Sequence, residues 1–327
     1  MKKILKILAI LLLIVVIAIV AGFSYLKFGL PNVGEAPDIT IERTPERIAR
    51  GEYLVKNVMA CLHCHSTMDH SKFGKPPIHG TEGAGGEEFS MELGFPGNFY
   101  AKNITPAALG EWSDGEIFRA ITSGVSKDGT ALFTLMPYQM YGRLDREDVY
   151  SIIAFIRTLK PVEKTIPKSE PVFPVSLLIN TAPKKPEFSE IPDKSDMVEY
   201  GKYMVTAAAC YDCHTPMDDK GNYFDDLKFS GGFTFKMQTG GTTRSANITP
   251  DKETGIGNWT EEYFVSRFKQ YADSSYVPKT IGKNEFNTEM PWLIYSKMDT
   301  TDLVAMYHYL KTLTPINNRV EKFTLDE

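Results

Sequence analysis

All four cysteines of the chain lie in two pentads, Cys61-Leu62-His63-Cys64-His65 and Cys210-Tyr211-Asp212-Cys213-His214. Cys-x-x-Cys-His is the spacing at which two thiols bond covalently to the two vinyl groups of one porphyrin while the adjacent His reaches the iron. The motif predicts haem c, and two pentads predict two covalently attached haems with electron-transfer chemistry. Two disulfides, a redox dithiol or a Cys₄ zinc site are the other uses of four cysteines. None of them explains why His follows both pairs directly.

His65 and His214 are then the proximal iron ligands, because attachment holds them beside the porphyrin. The opposite face is open to Met, to His or to no protein ligand, and each choice implies a different function. Met136 and Met290 stand at matching places, each followed by proline, Pro137 and Pro291. Proline stiffens the backbone and removes an N–H, which suits a strap that holds a thioether sulfur on iron. Met140 and Met298 are the fallback ligands. Met59, Met68, Met91, Met217 and Met237 have no counterpart in the other half, and an isolated Met is ordinary core filler. His63, His70, His79 and His308 also lack partners and are expected not to ligate. His/Met coordination raises the reduction potential relative to bis-His. It also closes both axial positions, which suits transfer of electrons over bond chemistry, and no catalytic residues are expected.

The elements that must position these groups occur twice, at a spacing of about 150 residues. Gly51-Glu52-Tyr53-Leu54 returns as Gly201-Lys202-Tyr203-Met204, Asn103-Ile104-Thr105-Pro106 as Asn247-Ile248-Thr249-Pro250, and Gly110-Glu111-Trp112-Ser113 as Gly257-Asn258-Trp259-Thr260. Solenoid units run roughly 20–50 residues, so this period means two tandem copies of one domain. Each copy reads as helical. A first helix, over 46–60 and 196–209, ends at the pentad. A second starts after the N-caps Ser113 and Thr260. The last has Asp145 or Asp299 as N-cap and carries Val149, Ile152, Ile153 and Ile156, or Leu303, Met306, Tyr307 and Leu310, at helical spacing. The apolar stripes are core that walls the cofactor pocket. A glycine-rich stretch of about 35 residues separates pentad from Asn-Ile-Thr-Pro in each copy, long enough to carry structure of its own such as a small hairpin.

Residues 161–192 are proline-rich and read as an extended, fairly stiff linker. Their apolar centre, 173–179, needs a surface to pack on: a domain, a partner or the membrane. At the N-terminus Lys2, Lys3 and Lys6 precede an uncharged run over 7–26, closed by Lys27. Twenty helical residues at about 1.5 Å each span about 30 Å, the hydrocarbon thickness of a bilayer. A cleaved signal peptide has a shorter apolar core and a small-residue cleavage site, for which only Ala18 and Ala21 are candidates. The lysines favour a cytoplasmic N-terminus, with the remainder outside the inner membrane. The 327 residues carry a net charge of −5, with 43% hydrophobic and 24% charged residues. That is a globular composition with no basic stripe for nucleic acid.

The order of these landmarks resembles the cytochrome c subunits of bacterial membrane-bound alcohol, gluconate and related sugar or aldehyde dehydrogenases. The likeness covers about residues 46–318 and is closest over Asn247–Thr260. It implies an all-α fold of two tandem cytochrome c domains behind an N-terminal transmembrane helix. Residues 1–27 form the membrane anchor or uncleaved signal, 28–45 a linker, 46–163 the first domain, 164–194 the proline-rich linker, 195–318 the second domain and 319–327 a tail. Haem ligands then fall on Cys61, Cys64, His65 and Met136, and on Cys210, Cys213, His214 and Met290. Such subunits take electrons from a dehydrogenase and pass them to ubiquinone or another acceptor. They usually hold three haem domains, whereas this chain has two pentads. The expected function is a membrane-anchored, periplasmic dihaem carrier in a respiratory chain, between a dehydrogenase donor and an oxidase, cytochrome or quinone. The alternative is a dihaem enzyme of the peroxidase or thiosulfate oxidoreductase type, which needs one displaceable axial ligand and acid–base residues beside it.

Overall fold

A computed structural model describes residues 1–218 and 221–325. The last two residues of the tail expected over 319–327 lie outside the described residues. The chain opens with helix α1, Lys2–Ser24, none of whose residues is buried, continued by a π turn over Tyr25–Gly29. It is long and apolar enough to cross a membrane.

The first half follows as α2 (Pro45–Tyr53), a π turn (Leu54–Val58), α3 (Cys61–Cys64), strands β1 (Glu88–Phe89) and β2 (Gly97–Tyr100), then α4 (Pro106–Leu109), α5 (Asp114–Ser123), α6 (Tyr138–Tyr141) and α7 (Arg146–Ile156). The connecting stretch carries β3 (Glu170–Pro171) and α8 (Val175–Leu178). The second half repeats the plan as α9 (Met197–Ala207), α10 (Cys210–His214), β4 (Thr234–Lys236), β5 (Thr242–Arg244), α11 (Glu261–Lys269), α12 (Trp292–Tyr295), α13 (Thr300–Thr312) and β6 (Phe323–Thr324). The structure is mostly helical, as the periodicity indicated, with two small antiparallel sheets added.

Local sequence explains the helix ends. Ser113 and Glu116 form a reciprocal capping box on α5, and Thr260 and Asp145 cap α11 and α7 with their side chains. The first helix starts one residue before the expected 46, at Pro45, because the Thr44 hydroxyl caps it. Cys61 follows Gly51 by one residue more than Cys210 follows Gly201. The π turn at Leu54–Val58 absorbs that extra residue, where α9 stays regular.

Each first helix crosses its own last helix at the repeated glycine. A Cβ on Gly51 would collide with the Ser151 carbonyl, and one on Gly201 with the Ala305 carbonyl. The backbones therefore touch at those points and seal Leu54, Val58, Ile152 and Ile153, or Met204, Leu303 and Met306, away from water.

Two residues after each glycine, the repeated tyrosine crosses to the opposite half. The Tyr53 hydroxyl donates to Asp302 at 2.6 Å and accepts the Asp299 amide at 2.9 Å. The Tyr203 hydroxyl donates to Asp148 at 2.6 Å and accepts the Asp145 amide at 3.2 Å. Each aspartate also binds a side chain of its own half. Arg50 donates twice to Asp148 at 2.8 Å, and Tyr200 donates to Asp302 at 3.0 Å. The halves thus dock through one exchanged set of contacts, used twice.

The glycine-rich loops hold the expected hairpins. Strands β1 and β2 pair Phe89 with Phe99, and β4 and β5 pair Phe235 with Thr243. Each gains a third strand from the segment that leaves its half: β3 pairs Asn98 with Glu170, and β6 pairs Thr243 with Phe323. The proline-rich stretch is therefore docked along part of its length. In its apolar centre α8 rests against the π turn at the base of α1, while Phe173 and Leu178 stay exposed.

Candidate functional site

Both pentads are launched by the same backbone break. Ala60 and Ala209 adopt left-handed φ values of 51° and 50°, ending the first helix so that α3 and α10 begin afresh. Within one helical turn, residues three apart share a face, which puts Cys61 beside Cys64 and Cys210 beside Cys213. The four thiols are free. Loss of hydration pushes Cys61 and Cys210 up to about 12 and Cys64 up to about 11. A zinc site needs four converging donors. Among the described residues, no three His, Cys, Asp or Glu side chains are grouped to hold a metal ion.

The histidine ending each pentad is oriented by a backbone carbonyl. His65 Nδ1 lies 2.6 Å from the Lys102 oxygen, and His214 Nδ1 lies 2.7 Å from the Ala246 oxygen. A carbonyl only accepts, so Nδ1 carries the proton and Nε2 keeps its lone pair free for a metal. Burial lowers the pKa of both rings, which favours the neutral, ligating form.

Two repeated motifs place those carbonyls. Gly85 has φ +68°, and a Cβ there would fall 2.5 Å from the Lys102 carbonyl; Gly231 stands equally close to the Ala246 carbonyl. Only glycine lets the two backbone segments approach this far. Its amide meanwhile donates to the pentad histidine's own oxygen, at 2.9 Å for His65 and 2.8 Å for His214. On the next residue, Asn103 Oδ1 accepts the Thr105 amide and hydroxyl at 2.9 and 2.8 Å, and its amide group donates to Val162 O at 2.8 Å. Asn247 does the same with Thr249 and with Ile316 O, at 2.9, 2.7 and 2.7 Å. Asn-Ile-Thr-Pro is thus a clasp that ties the histidine-orienting backbone to the segment that leaves the last helix.

The two Met-Pro pairs share one conformation. Pro137 (φ −79°, ψ 50°) and Pro291 (φ −79°, ψ 59°) are centres of inverse γ-turns, with the Tyr138 and Trp292 amides donating to the Met136 and Met290 carbonyls at 2.8 Å. Met136 and Met290 are partly buried against the same core as Cys61 and Cys210. Of the fallbacks, Met298 is fully buried core and Met140 partly buried. Met59, Met68 and Met237 are buried, and Met91 is exposed.

The other histidines have separate environments. His70 pairs with Glu87 at 2.6 Å, His79 with Glu82 at 3.1 Å and His308 with Glu261 at 2.9 Å. His63 is buried, its Nδ1 has no partner, and burial lowers its pKa to about 3.

The structure brings the two pentads together. Tyr141 and Tyr295, equivalent in the repeat, donate to Met59 O at 3.4 Å and Ala208 O at 3.0 Å. Tyr295 lies within electrostatic reach of cysteines of both pentads, Tyr141 of Cys61 and Cys64 in the first and Asp212 in the second, and Cys213 of Cys64. Nearby, Lys75 of the first half pairs with Glu289 of the second, and Asn287 bridges the Gly74 amide at 2.9 Å and the Lys72 carbonyl at 3.0 Å. This clamp ends one residue before Met290. The sequence reading named neither these cross-half pairs nor the carbonyl partners of the histidines. The matched Gly-Gly and Asn-Ile-Thr-Pro signals pointed to the latter.

No protein-family model matches the chain. Whole-chain comparison finds the cytochrome c subunit of a quinone-dependent alcohol dehydrogenase from Gluconacetobacter polyoxogenes, 26% identical over 301 residues, or 85% of this chain and 58% of the relative. The fructose dehydrogenase cytochrome subunit of Gluconobacter japonicus is 30% identical over 231 residues, or 66% of this chain and 43% of the relative. A diheme cytochrome c-type protein of Cereibacter sphaeroides is 26% identical over 224 residues, or 66% of this chain and 72% of the relative. The chain spans about half the length of the first two, 58% and 43%. Its resemblance to cytochrome c subunits of dehydrogenases extends along most of the chain.

Proposed function

We propose that the chain is a membrane-anchored dihaem cytochrome c that relays single electrons in a respiratory chain, from a partner dehydrogenase to an oxidase, a cytochrome or quinone. The observation that carries this reading is the duplicated histidine geometry. Both pentads end in an imidazole whose Nδ1 proton is held by a main-chain carbonyl at 2.6 or 2.7 Å. The donor set fits haem c. Cys61 and Cys64 would bond one group and His65 Nε2 and Met136 would flank its iron; Cys210, Cys213, His214 and Met290 would do so in the second half. Haem c, when bound, supplies a reversible one-electron iron couple.

The chain's own residues do the rest. The clasps of Asn103 and Asn247 keep each imidazole in one tautomer and one orientation. The Met-Pro turns offer a thioether from a stiff strap. The apolar core around each pentad excludes water. The exchanged tyrosines hold the two sites near each other. Relatives named as dehydrogenase subunits support an upstream dehydrogenase and an electron-transfer role, and α1 supports single-pass anchoring of a periplasmic body in the inner membrane.

Methionine ligation is tested by Met136→Leu and Met290→Leu. Each should remove about half of the near-infrared sulfur-to-iron band of the oxidised protein, and the double variant all of it. An unchanged band in either single variant would assign that ligand elsewhere, and an open coordination site in the unaltered protein would favour the enzyme reading.

A further inference from the structure

The base of α1 is built into the folded body. The turn Tyr25–Gly29 rests against α8 and the following turn Ile179–Thr181, and the Asn180 side-chain amide donates to the Leu26 carbonyl at 3.0 Å. Around this joint the surface is apolar. Phe28 is 78% exposed and Phe173 77% exposed, and Tyr25, Val172 and Leu178 are exposed beside them in sequence. They come from segments about 150 residues apart that meet here. Side chains of this size gathered at one place mark a contact surface.

The occupant follows from continuity. These residues sit within about a turn or two of the point where an uncovered 23-residue apolar helix ends. Aromatic rings are characteristic of the zone between hydrocarbon and water. Lysines flank the joint, beside one exposed carboxylate, Glu170. Lys27 lies 5.3 Å from the centre of the Phe28 ring, and Lys184 and Lys185 are exposed just beyond α8, where lipid phosphates would neutralise them.

We propose that Tyr25, Phe28, Val172, Phe173 and Leu178 form a second membrane contact, a collar seated in the headgroup region of the bilayer that α1 enters. It rests on the reading of α1 as a retained anchor. The collar converts a flexible attachment into a fixed one and holds the haem-bearing halves in one attitude above the membrane.

The test uses the full chain in nanodiscs of phosphatidylethanolamine and phosphatidylglycerol. p-Benzoylphenylalanine replaces, one at a time, Phe28, Phe173, Leu12 within α1, and Val277, an 80% exposed apolar residue of the second half. Irradiation should give phospholipid adducts at positions 28 and 173 within about three-fold of position 12 and at least about ten-fold above position 277. Adducts at 12 with position 173 no better than 277 would overturn the collar and leave the anchor standing. Cross-links from 173 to a protein in place of lipid would also overturn it. Absence of lipid adducts at 12 would remove the anchor reading and the collar with it.

Discussion

An imidazole that binds iron through Nε2 must have its Nδ1 proton held elsewhere, or the ring turns and the tautomer is lost. Here the holder is a main-chain oxygen, which has no signature of its own in a sequence. The pentads were legible because cysteine and histidine are rare and their spacing is rigid. The carbonyls of Lys102 and Ala246 were legible only indirectly, through the glycine each needs beside it. Gly85→Ala places a Cβ against the Lys102 carbonyl at φ +68°. It should destabilise the protein by about 2 kcal/mol or more. It should also loosen the His65 hydrogen bond, lowering imidazole basicity and raising the potential of the first haem alone. Gly231→Ala should do the same to the second. Redox titration of the two variants beside denaturant melts checks both parts, and equal shifts of both potentials in either variant would contradict it.

At the scale of elements, the long helices were readable from their apolar spacing and caps, while strands of two to four residues carry too little pattern to declare themselves. The strands β3 and β6 lie in stretches that read as linker and tail, because a strand's pairing depends on a distant partner and not on its own composition. The tyrosine exchange was hidden for a related reason. Gly-x-Tyr is visibly repeated, but its targets, Asp302 and Asp148, lie in opposite copies. Burial and then the carboxylate partner raise the pKa of both Tyr53 and Tyr203 above the usual value near 10. The folded hydroxyls therefore hold their protons more tightly than the unfolded chain does. Their contribution to stability is complete below pH 10 and is lost as the pH rises above it. Tyr53→Phe and Tyr203→Phe should each cost about 1.5–3 kcal/mol near neutrality, the range for a hydrogen bond to a charged group. The double variant should lose stability less steeply above pH 10 than the unaltered protein. Urea melts at pH 7 and pH 10.5 measure both effects, and identical slopes would separate these tyrosines from the docking.

For the whole molecule, the duplication sets the architecture: two halves with the same clasp, the same Met-Pro turn and the same outgoing strand, docked through one contact set used twice. That arrangement places both pentads at a shared seam, against one continuous core. The halves are not identical. Among the described residues, the second half's Met-Pro strap is the one clamped by the other half, through Lys75 and Glu289, an asymmetry that the bare repeat does not contain. All of these functional statements depend on two porphyrins joined to the chain by thioether bonds. The direct measurement is the intact mass and absorption of the protein, made in a host with c-type maturation, after acid–acetone extraction. The account predicts a coloured protein heavier than the polypeptide by two haem groups, falling to one when Cys61 and Cys64 are replaced by alanine. A colourless chain at the polypeptide mass would contradict it.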